Sequence, residues 1–175
     1  MKIAVCGTHC SGKSTLVDYI SETLHIPPIN EVAGHFSEEE RKNLATQLDI
    51  LQSQIHEELS HDHFISDRSV IDNCAYIHFH AHLKNMESVY KETKKFVNDY
   101  LNKHPYDLII FVDEYFPLVD NGIRNLDANQ QKDVFDYLKK HITHLSKRFN
   151  IPTLFISGNT HMRYKTVEEW LTSQT

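Results

Sequence analysis

The sequence predicts an α/β domain of three layers, with helices on both faces of a five-stranded parallel sheet. Three observations carry that expectation. Five short apolar runs alternate with stretches of helical periodicity. One run, residues 108–112, is apolar throughout, as a strand is when both faces of its sheet are covered. No repeat, linker or low-complexity segment divides the 175 residues, of which only five are glycine where average usage would give roughly twelve. One domain over residues 1–175 is therefore expected, long enough to build a core without disulfide or metal staples.

Residues 3–6 read as the first strand, and residues 14–24 as a helix with Leu16, Tyr19, Ile20 and Leu24 at helical spacing. Pro27-Pro28 breaks the chain before a short second strand at Ile29. Leu44, Leu48, Leu51, Ile55 and Leu59 recur at intervals of four, three, four and four, and Ser37 with Glu40 makes a capping box. One long amphipathic helix from Ser37 is expected there. Residues 64–66 are the third strand, two helices run on to about residue 103, and residues 108–112 are the fourth strand. Val134, Leu138, Ile142 and Leu145 mark a further helix, residues 153–156 the fifth strand, and Val167, Trp170 and Leu171 a closing helix. Strands separated by helices favour parallel pairing.

Charge narrows the partners. The 24 Asp and Glu outnumber the 18 Lys and Arg, for a net charge of -6. That removes the broad basic field by which proteins grip duplex phosphates, leaving a nucleic acid room only at a local patch. No apolar run reaches the roughly eighteen residues of a membrane helix, and no secretory signal pattern is present, so no membrane partner and a cytoplasmic location are expected. Cys6, Cys10 and Cys74 fit neither a disulfide framework nor a zinc site. A second copy of the chain, as a homodimer, stays open as a partner.

Gly7-Thr8-His9-Cys10-Ser11-Gly12-Lys13-Ser14 match GxxxxGK[ST], directly after a strand and before a helix, the setting that the motif requires. Glycines let backbone N–H groups curl around phosphate oxygens, and the helix N-terminus adds its positive end. Gly7, Thr8, His9, Cys10, Ser11, Gly12, Lys13, Ser14 and Thr15 are thus the expected ATP-binding residues. Lys13 would reach the β- and γ-phosphates, and the Ser14 hydroxyl would ligate Mg²⁺.

Such a site does not name a function, because GTPases, motors, ATPases and small-molecule kinases share it. A guanine-reading N/T-K-x-D segment is missing, since Thr93-Lys94-Lys95-Phe96 lacks the aspartate. Residues 109–114, ending in Asp113-Glu114, have the form of a Walker B strand. On that reading Asp113 holds Mg²⁺ through water and Glu114 activates a hydrolytic water, in a regulatory ATPase or nucleotide-binding switch. Against it, the chain leaves no room for the extra helical subdomain of such ATPases.

Asp67 and Arg68 end the third strand and Glu31 ends the second, at the sheet edge where open α/β folds bind ligands. Asp67 can order Mg²⁺ waters or an acceptor hydroxyl, Arg68 can grip a phosphate bidentately, and Glu31 can take a proton from a hydroxyl. Ordinary ion pairing or solvation is the competing explanation for each. Residues 117–124 carry the parts of a lid spanning about 115–128, with Gly122 as hinge and Arg124 to meet the transferring phosphoryl group.

Taken in order, residues 7–14, Asn30-Glu31-Val32-Ala33, Phe64-Ile65-Ser66-Asp67-Arg68 with Asp72 and Ala75-Tyr76, and Asp120-Asn121-Gly122-Ile123-Arg124 resemble the small AAA-type P-loop kinase group, which includes NadR-type nicotinamide riboside kinases. The Asp67-Arg68 strand end with Ala75-Tyr76 is also similar to thymidylate and deoxynucleoside kinases. The resemblance implies a P-loop kinase fold with a short lid. It further implies transfer of the γ-phosphate of ATP, with Mg²⁺, to a nucleoside, nucleotide or related small-molecule acceptor. One departure matters: such proteins often carry arginine three residues after the second-strand glutamate, where this chain has Gly34 and then His35. Either the acceptor differs or His35 or Arg41 supplies the charge.

His78 and His82 share a predicted helical face but lack a third metal ligand, and His61 and His63 read the same way. Tyr76, Phe79 and Tyr115 could stack on an acceptor base or fill the core. The leading expectation is a small-molecule kinase with Lys13, Glu31, Asp67, Arg68 and Arg124 as catalytic residues and Ser14 and Asp67 at the metal, the base being Glu31 or Asp67. Behind it stand a kinase acting on a hydroxyl of a nucleic acid or modified base, and the regulatory ATPase using Asp113 and Glu114.

Overall fold

The structure, a computed structural model, describes residues 1–114 and 128–174. Its elements run β1 (Lys2–Cys6), α1 (Lys13–Leu24), β2 (Pro28–Ile29), a 3-10 turn (Val32–His35), α2 (Glu38–Arg41), α3 (Leu44–Leu59), β3 (Phe64–Asp67), α4 (Val70–Leu83), α5 (Glu87–Lys103), β4 (Leu108–Val112), α6 (Ala128–Phe149), β5 (Thr153–Ile156) and α7 (Thr160–Ser173). The five strands form one sheet in the order β2-β3-β1-β4-β5, and every pairing is parallel. The three-layer parallel α/β expectation is met.

Alternation along the strands divides the core in two. Ile3, Val5, Ile65, Leu108, Ile110 and Val112 point to one face, where Leu16, Val17 and Ile20 of α1 and Val167 of α7 cover them. Ala4, Cys6, Phe64, Ile109 and Phe111 point to the other, under α3, α4, α5 and α6. Both faces being covered explains why β4 is apolar at every position.

The expected long helix from Ser37 is a correction. The Ser37–Glu40 capping box forms, but the helix that it starts ends at Arg41. Asn43 then caps a new one, its side chain accepting the Ala45 N–H at 3.1 Å. Asparagine offers the backbone a side-chain partner in place of a helical carbonyl, so it divides a pattern that leucine spacing alone makes continuous. The buried side of α3 also differs from the leucine stripe: Leu44, Ile50 and Leu51 go inward with Gln47, Gln54 and Glu58, while Leu48 and Leu59 face solvent.

Because all strands are parallel, the segments that follow them emerge at one edge of the sheet. The phosphate-loop sequence leaves β1 at the centre, between the ends of β3 and β4, where chain order switches from one side of β1 to the other. The expected lid, with Gly122 and Arg124, and the aromatic Tyr115 lie outside the described residues.

Candidate active site

The segment between β1 and α1 bends around its own carbonyl groups. Gly7 has φ 151° and Gly12, capping α1, has φ 82°, conformations that side chains resist. A Cβ on Gly7 would also meet Ser11 Oγ at 3.1 Å and Val112 Cβ at 3.3 Å. Lys13 is 5% exposed, and its ammonium donates to Thr8 O at 2.7 Å. Burial, and then the neighbouring Arg68 guanidinium, bring its pKa down to about 8. Ser14 and Thr15 are exposed, while Thr8 is buried.

Asp72, on the first turn of α4, fixes the start of this loop. Its Oδ1 accepts the Gly7 N–H at 3.0 Å, and its Oδ2 accepts the Ser69 N–H and hydroxyl at 3.0 and 2.8 Å. The capping box that starts α4 thereby also sets the direction of the phosphate loop.

Asp67 and Arg68 then point to opposite tasks. The Ser14 hydroxyl donates to Asp67 Oδ2 at 2.5 Å. Among the described residues Asp67 Oδ1, although buried, has no hydrogen-bond partner. A hydroxyl and a carboxylate in contact, with one buried oxygen uncommitted, suit Mg²⁺, which takes one or two protein oxygens and fills its octahedron with phosphate oxygens and water.

Arg68 has φ 81° and is 5% exposed; its backbone N–H reaches Val5 O, and Nε donates to Glu31 Oε1 at 2.7 Å. Nη1 reaches Gly7 O and Tyr76 Oη, both at 3.3 Å. Tyr76 thus serves the guanidinium, its ring centroid 5.1 Å from Cζ. The Glu31 side chain stays 26% exposed. Burial opposes its charge, but Arg68 beside it outweighs burial and lowers its pKa to about 2. The structure therefore brings Lys13, Ser14, Glu31, Asp67 and Arg68 together at one sheet edge.

Asp113 and Glu114 each pair with a cation. Lys139 Nζ lies 2.8 and 2.9 Å from the two Asp113 oxygens. Glu114 Oε2 accepts the Gly158 N–H at 2.9 Å and Arg163 Nη2 at 3.0 Å. Arg163, which the sequence reading passed over, also donates to Ser11 O and Gly158 O. Gln131 of α6, likewise missed, donates to His9 O at 3.0 Å. No local signal marks either residue, since each reaches the loop from more than a hundred positions away.

The sequence profile of a family described as an AAA domain matches residues 2–163. The chain belongs to the AAA domain family. Among solved structures, this AAA-family chain superposes on deoxyadenosine kinase from M. mycoides with bound dCTP at a TM-score of 0.71, with 15% identity over 99% of this chain and 100% of that one. It matches the NadR protein in complex with NR at 0.63, with 15% identity over 91% of this chain and 46% of that one. Shikimate kinase from Bacteroides thetaiotaomicron gives 0.56, with 12% identity over 99% and 98%. No curated protein sequence matches. At these identities the likeness is one of fold: this AAA-family chain has the architecture of the small P-loop kinases. Among its described residues no helix is long and apolar enough to cross a membrane. Nor do three or more His, Cys, Asp or Glu among them gather as a metal group, and His78 instead packs against Tyr90 and Tyr137.

Proposed function

We propose that the protein is an ATP-dependent kinase that phosphorylates a hydroxyl of a nucleoside or similar small molecule. The observation that carries this reading is the set of Ser14–Asp67 and Glu31–Arg68 pairs beside the buried Lys13, at the mouth of the phosphate loop. Loop N–H groups and Lys13 would hold the triphosphate, and Ser14 and Asp67 would hold Mg²⁺. Mg²⁺ bound there offsets charge on the β- and γ-phosphates. The acceptor hydroxyl oxygen bonds to the γ-phosphorus as the bond to the β,γ-bridging oxygen breaks, ADP leaves, and the hydroxyl proton passes to Glu31 or Asp67 and on to solvent. Glu31, ionised and partly exposed, would accept the hydroxyl's hydrogen bond. Arg68 is held beside Glu31, and Arg124 would add its charge from the lid.

The Glu31–Arg68 pair presents little net charge, which favours an uncharged acceptor over a nucleotide monophosphate. Gly34 agrees with a change of acceptor: a Cβ there would meet nothing within 4 Å, so the backbone does not demand glycine.

γ-Labelled ATP offered with nucleosides, nucleotides and oligonucleotides in parallel tests the reading. Label is expected on a nucleoside-like acceptor and absent with Lys13→Ala. Label on oligonucleotides alone would replace the acceptor class. No transfer, with ATP trapped by Glu114→Gln, would mean a regulatory ATPase instead.

A further inference from the structure

Arg163 stands on the first turn of α7, and its guanidinium is spent on three different loops. Nη1 donates to Ser11 O at 2.6 Å, in the phosphate loop after β1. Nη2 donates to Glu114 Oε2 at 3.0 Å, just beyond β4. Nε donates to Gly158 O at 2.8 Å, just beyond β5. Glu114 closes the circuit by accepting the Gly158 N–H on the same Oε2 at 2.9 Å. Arg163 is 8% exposed, so these bonds are shielded from water, where charge-assisted hydrogen bonds are strongest. Helical side chains lean toward the N-terminus of their helix, which aims Arg163 back at the sheet edge.

The bond to Ser11 O has a geometric consequence. In a trans peptide the C=O and N–H of one unit point in opposite directions, and the described residues contain no cis bond. Holding the Ser11 carbonyl against Arg163 therefore turns the Gly12 N–H to the opposite side of that peptide, away from the guanidinium. The Ser11–Gly12 unit needs such a hold, because Gly12 at φ 82° has no Cβ to restrict rotation of the peptide that precedes it. A Cβ at Gly12 would lie 3.1 Å from Arg163 Nη1, so the guanidinium packs directly against the loop.

We propose that Arg163 is a positioning residue that locks the Ser11–Gly12 peptide so that the Gly12 N–H faces the nucleotide phosphates. It touches neither phosphate nor acceptor and acts through the loop. Glu114, read from sequence as a candidate hydrolytic base, is the anchor that orients this arginine. The proposal rests on the phosphate loop binding ATP, as in the function above, but not on transfer to any particular acceptor.

The test follows the Gly12 amide resonance and ATP affinity in the wild type, Arg163→Ala and Arg163→Lys. Arg163→Ala is expected to unfold cooperatively, to bind ATP about tenfold or more weakly, the worth of one charge-assisted hydrogen bond, and to leave the acceptor KM unchanged. Its Gly12 amide should not shift on adding ATP as the wild-type amide does, while Arg163→Lys recovers part of both signals. A merely structural role would lower the unfolding temperature and leave the amide response intact. Wild-type ATP affinity with a normal Gly12 shift in Arg163→Ala overturns the proposal; if that variant does not fold, the same readings on Arg163→Gln decide it. A wild type that binds ATP yet labels no acceptor removes the kinase reading alone, and one that binds no ATP removes both.

Discussion

Lys13 is buried and Glu31 partly so, and their surroundings loosen the charge of one and fix the charge of the other. Lys13, brought down to about 8 by burial and Arg68, is at the edge of losing its charge in the free protein. Bound phosphates favour its charged form, so above pH 8 binding must take up a proton. The ATP association constant is expected to stay level below about pH 8 and to fall above it, and titration calorimetry from pH 6.5 to 9.5 would show the break. Lys13→Arg should remove that break, since a guanidinium keeps its charge throughout. Glu31, lowered to about 2, stays ionised across the same range. Glu31→Gln keeps its shape but strips Arg68 of its carboxylate and the acceptor hydroxyl of its partner. A fall in kcat of about a hundredfold or more is expected, with ATP affinity nearly unchanged, read by steady-state kinetics against direct binding.

At the scale of elements, a single cap separates α2 from α3. Asn43→Ala removes the side-chain acceptor for the Ala45 N–H and should cost about 1 kcal/mol, a thermal shift of roughly 2–4 °C for a chain of this size. Its kcat should not change, because Asn43 is exposed and the site lies at the strand ends. A second capping residue has a larger reach. Asp72 starts α4 together with Ser69 and also holds the first N–H of the phosphate loop, so Asp72→Ala should weaken ATP binding as well as the fold.

Across the molecule, one buried carboxylate joins elements distant in sequence. Glu58 of α3, 1% exposed, accepts the hydroxyls of Tyr100 on α5 at 2.8 Å and Tyr106 before β4 at 2.9 Å, and a Gln54 amide N–H at 2.9 Å. Gln54 in turn donates to Ser66 on β3. Burial pushes the Glu58 pKa up to about 7, against the opposing pull of those hydrogen bonds. An acid whose pKa rises on folding contributes stability that is complete below its unfolded value, about 4.5, and is lost as pH rises through about 7. Relative to Glu58→Gln, which keeps an acceptor but cannot ionise, the wild type should lose about 3 kcal/mol of unfolding free energy between pH 4.5 and 7.5. Denaturant unfolding of both proteins at several pH values checks the difference.

The sequence by itself determined the strands, their parallel arrangement, the phosphate loop and the strand-end residues Glu31, Asp67 and Arg68. These depend on local signals: apolar runs, helical spacing, and a motif whose glycines and lysine lie within eight positions. Leucine spacing failed at α3 because burial there is decided by partners: Glu58 goes inward where tyrosines from other elements donate to it, and Gln54 where Glu58 and Ser66 accept its amide. Only the tertiary structure decided that Asp113 pairs with Lys139, that Glu114 pairs with Arg163, and that Arg163 reaches back across 152 positions to Ser11. Such contacts leave no trace in spacing, because the folded sheet edge, not the chain, makes those residues neighbours.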